Sequence, residues 1–209
     1  MVTKEQILQW LQAVAVVLEN NKDYLTQLDA AIGDADHGIN MNRGFQKVIS
    51  QLPSVADKDI GSILKTVSMT LISSVGGASG PLYGTLFLRA STVLMGKQEL
   101  TDQDMVALLQ AAVDGVVQRG KANLGDKTML DALSPATEVF KQAIATGANT
   151  LEALQKAVSA AEEGMNNTIP WVAKKGRASY LGERSSGHLD PGATSTYLIL
   201  KALLETVSG

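Results

Sequence analysis

The stretch Asp29-Ala-Ala-Ile-Gly33-Asp34-Ala-Asp36-His37-Gly38-Ile-Asn40-Met-Asn42 decides how the rest of the chain is read. Three carboxylates fall within eight residues, and Gly33 and Gly38 bracket the last two. Amphipathic runs precede and follow it. It therefore reads as a glycine-bounded turn between helices that aims Asp29, Asp34 and Asp36 at one place. Three like charges held close repel one another, and a hard divalent cation neutralises them. An oxygen-only donor set in a chain without Cys suits Mg²⁺. Mg²⁺ keeps positions open for water and substrate phosphates, so the ion points to a nucleotide. An isolated Asp-x-Asp is more often a solvated acidic turn, and three further loops tip the balance toward a site.

Composition narrows the setting. The 209 residues are 45% hydrophobic but only 4% aromatic, so the core is built from Ala, Leu, Val, Ile and Met, which favours packed helices over a sheet. A net charge of −3 argues against an electrostatic nucleic-acid binder. No signal-peptide pattern opens the chain, and no apolar run approaches the ~20 residues of a membrane span. The lack of Cys is compatible with a reducing cytoplasm. These features predict a cytoplasmic, mostly helical protein that binds neither nucleic acid nor membrane.

Outward from the acidic turn, the periodicity predicts helices over about 3–19, 21–29, 39–52, 57–72, 82–95, 102–117, 129–146 and 151–168, and a last one after Gly192. Thr3 and Thr101 are the expected N-caps, and Pro53 is expected to stop the third helix. Between helices four and five lies Ser73-Ser-Val-Gly76-Gly77-Ala78-Ser79-Gly80-Pro81, whose bare backbone N–H groups before a helix N-terminus suit phosphate. Gly115-Val-Val-Gln-Arg-Gly120-Lys121-Ala122 comes close to a P-loop. It lacks the final hydroxyl and follows a helix rather than a strand, so it is not one. Gly120-Lys-Ala-Asn-Leu-Gly125-Asp-Lys-Thr128 is still a small-residue loop entering a helix.

The fourth loop, Trp171 to Gly192, has no convincing periodicity and ends in a turn-forming Asp190-Pro191-Gly192. Long irregular segments in compact domains are usually functional, and this one mixes Arg, Lys, Ser and Gly as a lid over phosphate would. The four loops are separated by two helices each. If successive helices alternate in direction, all four emerge at the same end of the bundle. On this count the carboxylates hold Mg²⁺, the glycine amides cradle phosphates and Arg177 neutralises developing charge. The spacing assigns no role to His37, and His188 reads as an exposed loop residue.

The motifs, in this order, resemble the nucleotide-binding L subunits (DhaL family) of bacterial dihydroxyacetone kinases. The matching stretches are Gly33-Asp-Ala-Asp-His-Gly38 with Asn40-Met-Asn-Arg-Gly44, Ser74-Val-Gly-Gly-Ala-Ser-Gly-Pro81, Gly120-Lys121 with Gly125-Asp-Lys-Thr-Met129, and Gly176-Arg-Ala-Ser-Tyr-Leu-Gly-Glu-Arg184 with Asp190-Pro-Gly-Ala-Thr194. The resemblance implies an all-α fold. It would be a single-domain barrel of about eight antiparallel amphipathic helices over residues 1–209, with the nucleotide site at one end. It further implies that Asp29, Asp34 and Asp36 hold Mg²⁺, taken as two ions, bridging the phosphates of ADP or ATP. By motif match His37, Gly38, Ile39, Asn40, Ala78, Ser79, Gly120, Met129, Arg177, Asp190 and Gly192 contact the nucleotide, with Arg177 also the catalytic residue.

In such kinases the dihydroxyacetone is bound covalently to a histidine of a separate K subunit. Two versions exist. In one, an L-like domain fused behind the K domain exchanges ATP for ADP. In the other, belonging to the phosphotransferase system, a separate L chain keeps ADP bound, and a phosphohistidine on an M subunit rephosphorylates it in place. This chain opens at Met1 without a K domain, which favours the second. The resemblance leaves open a homodimer and a regulatory role in contacting a transcription regulator.

Overall fold

Aliphatic side chains at helical spacing, and polar side chains that close first turns, divide the chain into nine α-helices. In the computed structural model, which describes residues 1–209, these are α1 (Lys4–Asn20), α2 (Lys22–Ile32), α3 (His37–Gln51), α4 (Ile60–Ser74), α5 (Ser79–Val93), α6 (Asp102–Gly120), α7 (Leu130–Ala145), α8 (Thr150–Asn167) and α9 (Pro191–Ser208). Thr3, Thr101 and Asn149 form capping boxes with Gln6, Asp104 and Glu152, satisfying donors at both places that a bare helix start leaves open. Two-residue strands β1 (Val2–Thr3) and β2 (Glu99–Leu100) pair antiparallel, with Val2 opposite Leu100.

Eight of the helices close a ring. α1 packs on α3, then each helix from α3 to α9 packs on the next, and α9 returns to α1. The interior is a core of 47 buried residues, mostly aliphatic, as the low aromatic content requires. Trp10, Phe45 and Phe87 meet at its centre, with ring centroids 6.0 and 6.2 Å apart, and the Trp10 indole N–H donates to the Ile199 carbonyl at 3.0 Å. That bond allows a polar atom to lie inside an apolar barrel without an unmet donor. No helix is long and apolar enough to cross a membrane.

The helix outside the ring is α2. β1 ties the start of α1 to the α5–α6 connection, so α1 runs from that end to the opposite one, where α3 begins. The chain needs no second traverse, and α2 instead lies by the barrel mouth against α3, α9 and the 177–185 segment. The junction is tight. A side chain at Gly38 would meet the Lys22 carbonyl at 2.0 Å, so only glycine lets the start of α3 approach α2.

Several boundaries differ from the sequence reading. α2 continues to Ile32, so Asp29 lies on a helix near its end rather than in the turn. α5 begins at Ser79, so Ser79, Gly80 and Pro81 form its first turn instead of a loop. Asp190-Pro191-Gly192 is a helix start rather than a turn, with the Asp190 carboxylate accepting from the Ala193 amide at 2.7 Å and Pro191 at the first helical position. The segment expected to be irregular contains 3₁₀ turns over Arg177–Ser185, broken at Gly182, where φ is +55°. A 3₁₀ turn gives little side-chain periodicity, which is why the sequence pattern is blank there.

Candidate functional site

Alternation of direction around the ring puts the N-termini of α3, α5, α7 and α9 at one rim. Four helix starts each leave amide N–H groups unpaired within their helix and carry a partial positive charge, so the rim favours anions. Two are closed by carboxylates from within the protein. Asp190 caps α9, and the Asp29 carboxylate accepts from the amides of Asp36 at 2.8 Å and His37 at 3.1 Å, bridging α2 to the start of α3. The start of α5 has no side-chain cap, leaving its amides available to a ligand, whereas at α7 the Leu130 amide donates to Thr128 Oγ1 at 3.2 Å and the next two amides to the Thr128 and Met129 carbonyls.

The three predicted carboxylates do converge. Asp29, Asp34 and Asp36 each offer an oxygen, and these oxygens lie within 4.8 Å of one another. Asp29 is buried and Asp34 exposed, so the cluster faces outward from the barrel wall. Gly33 makes room for it, since a Cβ there would lie 2.1 Å from Asp29 Oδ1. Ala35 adopts a left-handed φ of +61°, which turns the chain between the last two carboxylates. Oxygen donors in this arrangement, partly open to solvent, match what Mg²⁺ requires.

Beside the carboxylates lies a cavity of about 510 Å³, within the range of nucleotide-sized sites. All four loaded segments reach it. Asp29, Asp34, Asp36, His37, Ala78, Ser79, Gly120, Met129, Arg177, Asp190 and Gly192 line it, as does the Gly76–Gly77 backbone. Three expected residues do not. Gly38 is buried against α2, Ile39 is exposed, and Asn40 is buried behind the wall. Asn40 acts at one remove, because its side chain lies against Gly76 and accepts from Arg43 Nη2 at 2.7 Å, while Arg43 Nε donates to the Ser74 carbonyl at 3.0 Å. Arg177 Nε sits 2.9 Å from Asp34 Oδ2, linking the 177–185 segment to the carboxylate cluster. His188 is exposed and outside the cavity lining.

Sequence reasoning missed the buried polar layer under the cavity. His37 Nδ1 lies 3.0 Å from Ser79 Oγ and Nε2 lies 2.9 Å from Ser195 Oγ, joining the starts of α3, α5 and α9. Burial lowers the pKa of His37 against the raising influence of Asp29 and Asp36, which favours a neutral ring shared between two hydroxyls. Tyr83 OH bonds Ser195 Oγ at 2.7 Å and Thr196 Oγ1 at 2.8 Å, and burial pushes its pKa up to about 12. Burial also pushes the Asp190 carboxyl up to about 7, against the Ala193 amide that favours its charged form. Asp131 accepts from the amides of Gly125 at 2.6 Å and Thr128 at 2.7 Å, shaping the loop before α7. The run Thr194-Ser195-Thr196 on an otherwise apolar helix is a sequence signal for this layer, whereas Tyr83 and Asp131 give none.

Comparison with known proteins is decisive at this point, because the DAK2 domain family model matches residues 31–205. The chain belongs to the DAK2 family. It is 50% identical over 201 residues to the ADP-binding subunit of the PEP-dependent dihydroxyacetone kinase of Escherichia coli (strain K12), covering 96% of each chain. It is 40% identical to the ADP-binding subunit of the PTS-dependent dihydroxyacetone kinase of Lactococcus lactis subsp. lactis (strain IL1403), covering all of both chains. Among solved structures it resembles the dihydroxyacetone kinase of C. freundii in complex with AMP-PNP and Mg²⁺, with a TM-score of 0.71 and 27% identity. That match covers 95% of this chain but only 33% of the other. The DAK2 fold therefore accounts for the helical ring, and the family's all-α architecture is the one expected from the motifs.

Proposed function

We propose that this DAK2 chain is the ADP-binding subunit of a dihydroxyacetone kinase driven by phosphoenolpyruvate through the phosphotransferase system. The observation that carries the reading is the meeting of three carboxylates and the uncapped N-terminus of α5 at one cavity. Identity of 40–50% over the whole length of relatives named as ADP-binding subunits supports it. Bound there, ADP would supply the phosphoryl-carrying chemistry between a phosphohistidine of an M subunit and dihydroxyacetone held by a K subunit.

The protein's own residues position and neutralise. Asp29, Asp34 and Asp36 would hold Mg²⁺, as two ions in this reading. Gly76, Gly77, Ala78 and Ser79 present backbone amides to phosphate, and His37, Gly120, Met129, Asp190 and Gly192 shape the remainder of the pocket. Arg177, tethered to Asp34, sets a planar cation where charge develops. Residues 1–209 act as one domain in the cytoplasm, and the site end of the ring faces the partner subunits. Phosphoryl transfer of this kind depends on positioning and electrostatics rather than on protein covalent chemistry.

The test is the nucleotide itself. Protein purified without added nucleotide should carry ADP through gel filtration, and EDTA should release it. A ligand at ~1,000 times its Kd adds about 4 kcal/mol. At about 2–4 °C per kcal/mol, EDTA should lower the melting temperature by about 8–16 °C. Rapid exchange with free ATP would instead favour the ATP-dependent version of the kinase.

A further inference from the structure

Lys127 is fully buried, 1% exposed, in a loop where it adopts a left-handed φ of +64°. Its ammonium donates to three backbone carbonyls, Ser185 at 2.6 Å, Trp171 at 3.0 Å and Ile169 at 3.5 Å. An ammonium has three N–H donors, so its hydrogen-bonding capacity is filled by this one segment. The acceptors are not scattered. Ile169 and Trp171 stand where the chain leaves α8, and Ser185 stands where it returns toward α9. The stretch between them carries Lys175 and Arg177 to the cavity.

The neck of this excursion has further ties. The Ala173 amide donates to Ser185 Oγ at 2.8 Å, the Gly187 amide to the Ile169 carbonyl at 2.7 Å, and Ser186 Oγ to the Pro170 carbonyl at 3.0 Å. The Lys174 amide donates to the Asp126 carbonyl at 3.1 Å, one residue from Lys127. Only Lys127 joins both strands of the neck to the α6–α7 connection by a single charged group. Burying an ammonium is costly, and a structural pin alone is served by a neutral side chain. A cation gains here because carbonyls from three residues must be drawn to one point, and charge-assisted bonds are the strong ones.

We propose that Lys127 is a positioning residue for phosphoryl transfer, fixing the neck of the 169–187 segment so that Arg177 stands over the carboxylate cluster. The inference rests on the functional reading above. It adds that the placement of Arg177 is set by a side chain that lines the same cavity but spends its three N–H donors on the carbonyls of the segment.

The test combines hydrogen exchange with a double-mutant cycle. In Lys127→Met, amides of Ala173, Ser186 and Gly187 should exchange at least about tenfold faster while those of α4 and α5 are unchanged, the mark of local rather than global loosening. Turnover in the reconstituted kinase should fall about as far as in Arg177→Ala. The double variant should be little worse than either single one, because residues acting through one another are not additive. A general loss of stability would instead multiply the two effects. If Lys127→Met does not fold, Lys127→Gln, which keeps two N–H donors, carries the same cycle. Unchanged exchange at the neck, or multiplicative losses in the cycle, would overturn the proposal. The exchange measurement needs no turnover, so it reports on the neck even if the wild-type protein fails as a dihydroxyacetone kinase subunit.

Discussion

Gly33→Ala tests whether the placement of the carboxylates, rather than their mere presence, makes the metal site. The substitution keeps all three aspartates. The added Cβ would lie 2.1 Å from Asp29 Oδ1, 2.9 Å from Asp29 Cγ and 3.0 Å from the Asp29 carbonyl. An ordinary contact needs about 3.4 Å, so the carboxylate must retreat by roughly 1 Å. Its bonds from the Asp36 and His37 amides, at 2.8 and 3.1 Å, then pass out of hydrogen-bonding range. Losing a cap of this kind costs about 1 kcal/mol. For a chain of this size that is about 2–4 °C in melting temperature without ligand. Mg²⁺ affinity should fall about 10–100-fold, as when a ligand loses its orienting partners. Titration calorimetry with Mg²⁺ and ADP, paired with thermal melts in EDTA, measures both. Wild-type affinity in Gly33→Ala would refute the idea that Gly33 shapes the site for Asp29. Repulsion alone would have the loss of any one of the three aspartates raise the melting temperature without ligand, but the Asp29 bonds work the other way. Asp29→Ala removes the cap on α3, so it should lower it.

Three further outcomes follow from particular contacts. Arg177 is largely exposed, so its pair with Asp34 adds at most about 1 kcal/mol of stability. Arg177→Ala should melt close to wild type while losing nucleotide contact and about 100-fold or more in turnover, and a variant with normal turnover would remove Arg177 from the mechanism. The Ser62 hydroxyl, aided by the Ser62 and Gly96 amides, holds the Asp59 carboxyl below the usual carboxylate range. A depressed carboxyl contributes stability above its unfolded value near pH 4, and loses it as pH falls through the lower folded value. Asp59→Ala should therefore cost about 1 kcal/mol at pH 7, with the gap to wild type closing in acid melts as the pH falls through the lowered folded value. Arg184 is exposed and outside the cavity lining, so Arg184→Ala should leave ADP bound but weaken docking of the K subunit. Calorimetry with purified K subunit checks this, and unchanged affinity would refute the docking role.

By itself the sequence determined the helices, because core-facing side chains recur at a period that local backbone geometry imposes. It also determined the convergence of the four loaded segments. A chain of alternating helices returns to the same end after every second one, whatever the packing details. The carboxylate cluster was legible for the same reason, since Asp29, Asp34 and Asp36 are close along the chain and Gly33 advertises a tight approach. Tertiary structure alone decided which helix stays outside the ring, with α2 lying by its mouth. That outcome depends on β1 meeting β2 and on the start of α3 fitting against Lys22. It alone set Gly38, Ile39 and Asn40 off the cavity wall, because the face a residue presents at a helix start depends on what the helix packs against. It alone revealed the work of Lys127, Tyr83 and Ser195. Their partners lie tens of residues away or more in sequence, and no local pattern encodes which distant carbonyl or hydroxyl a buried polar group will meet.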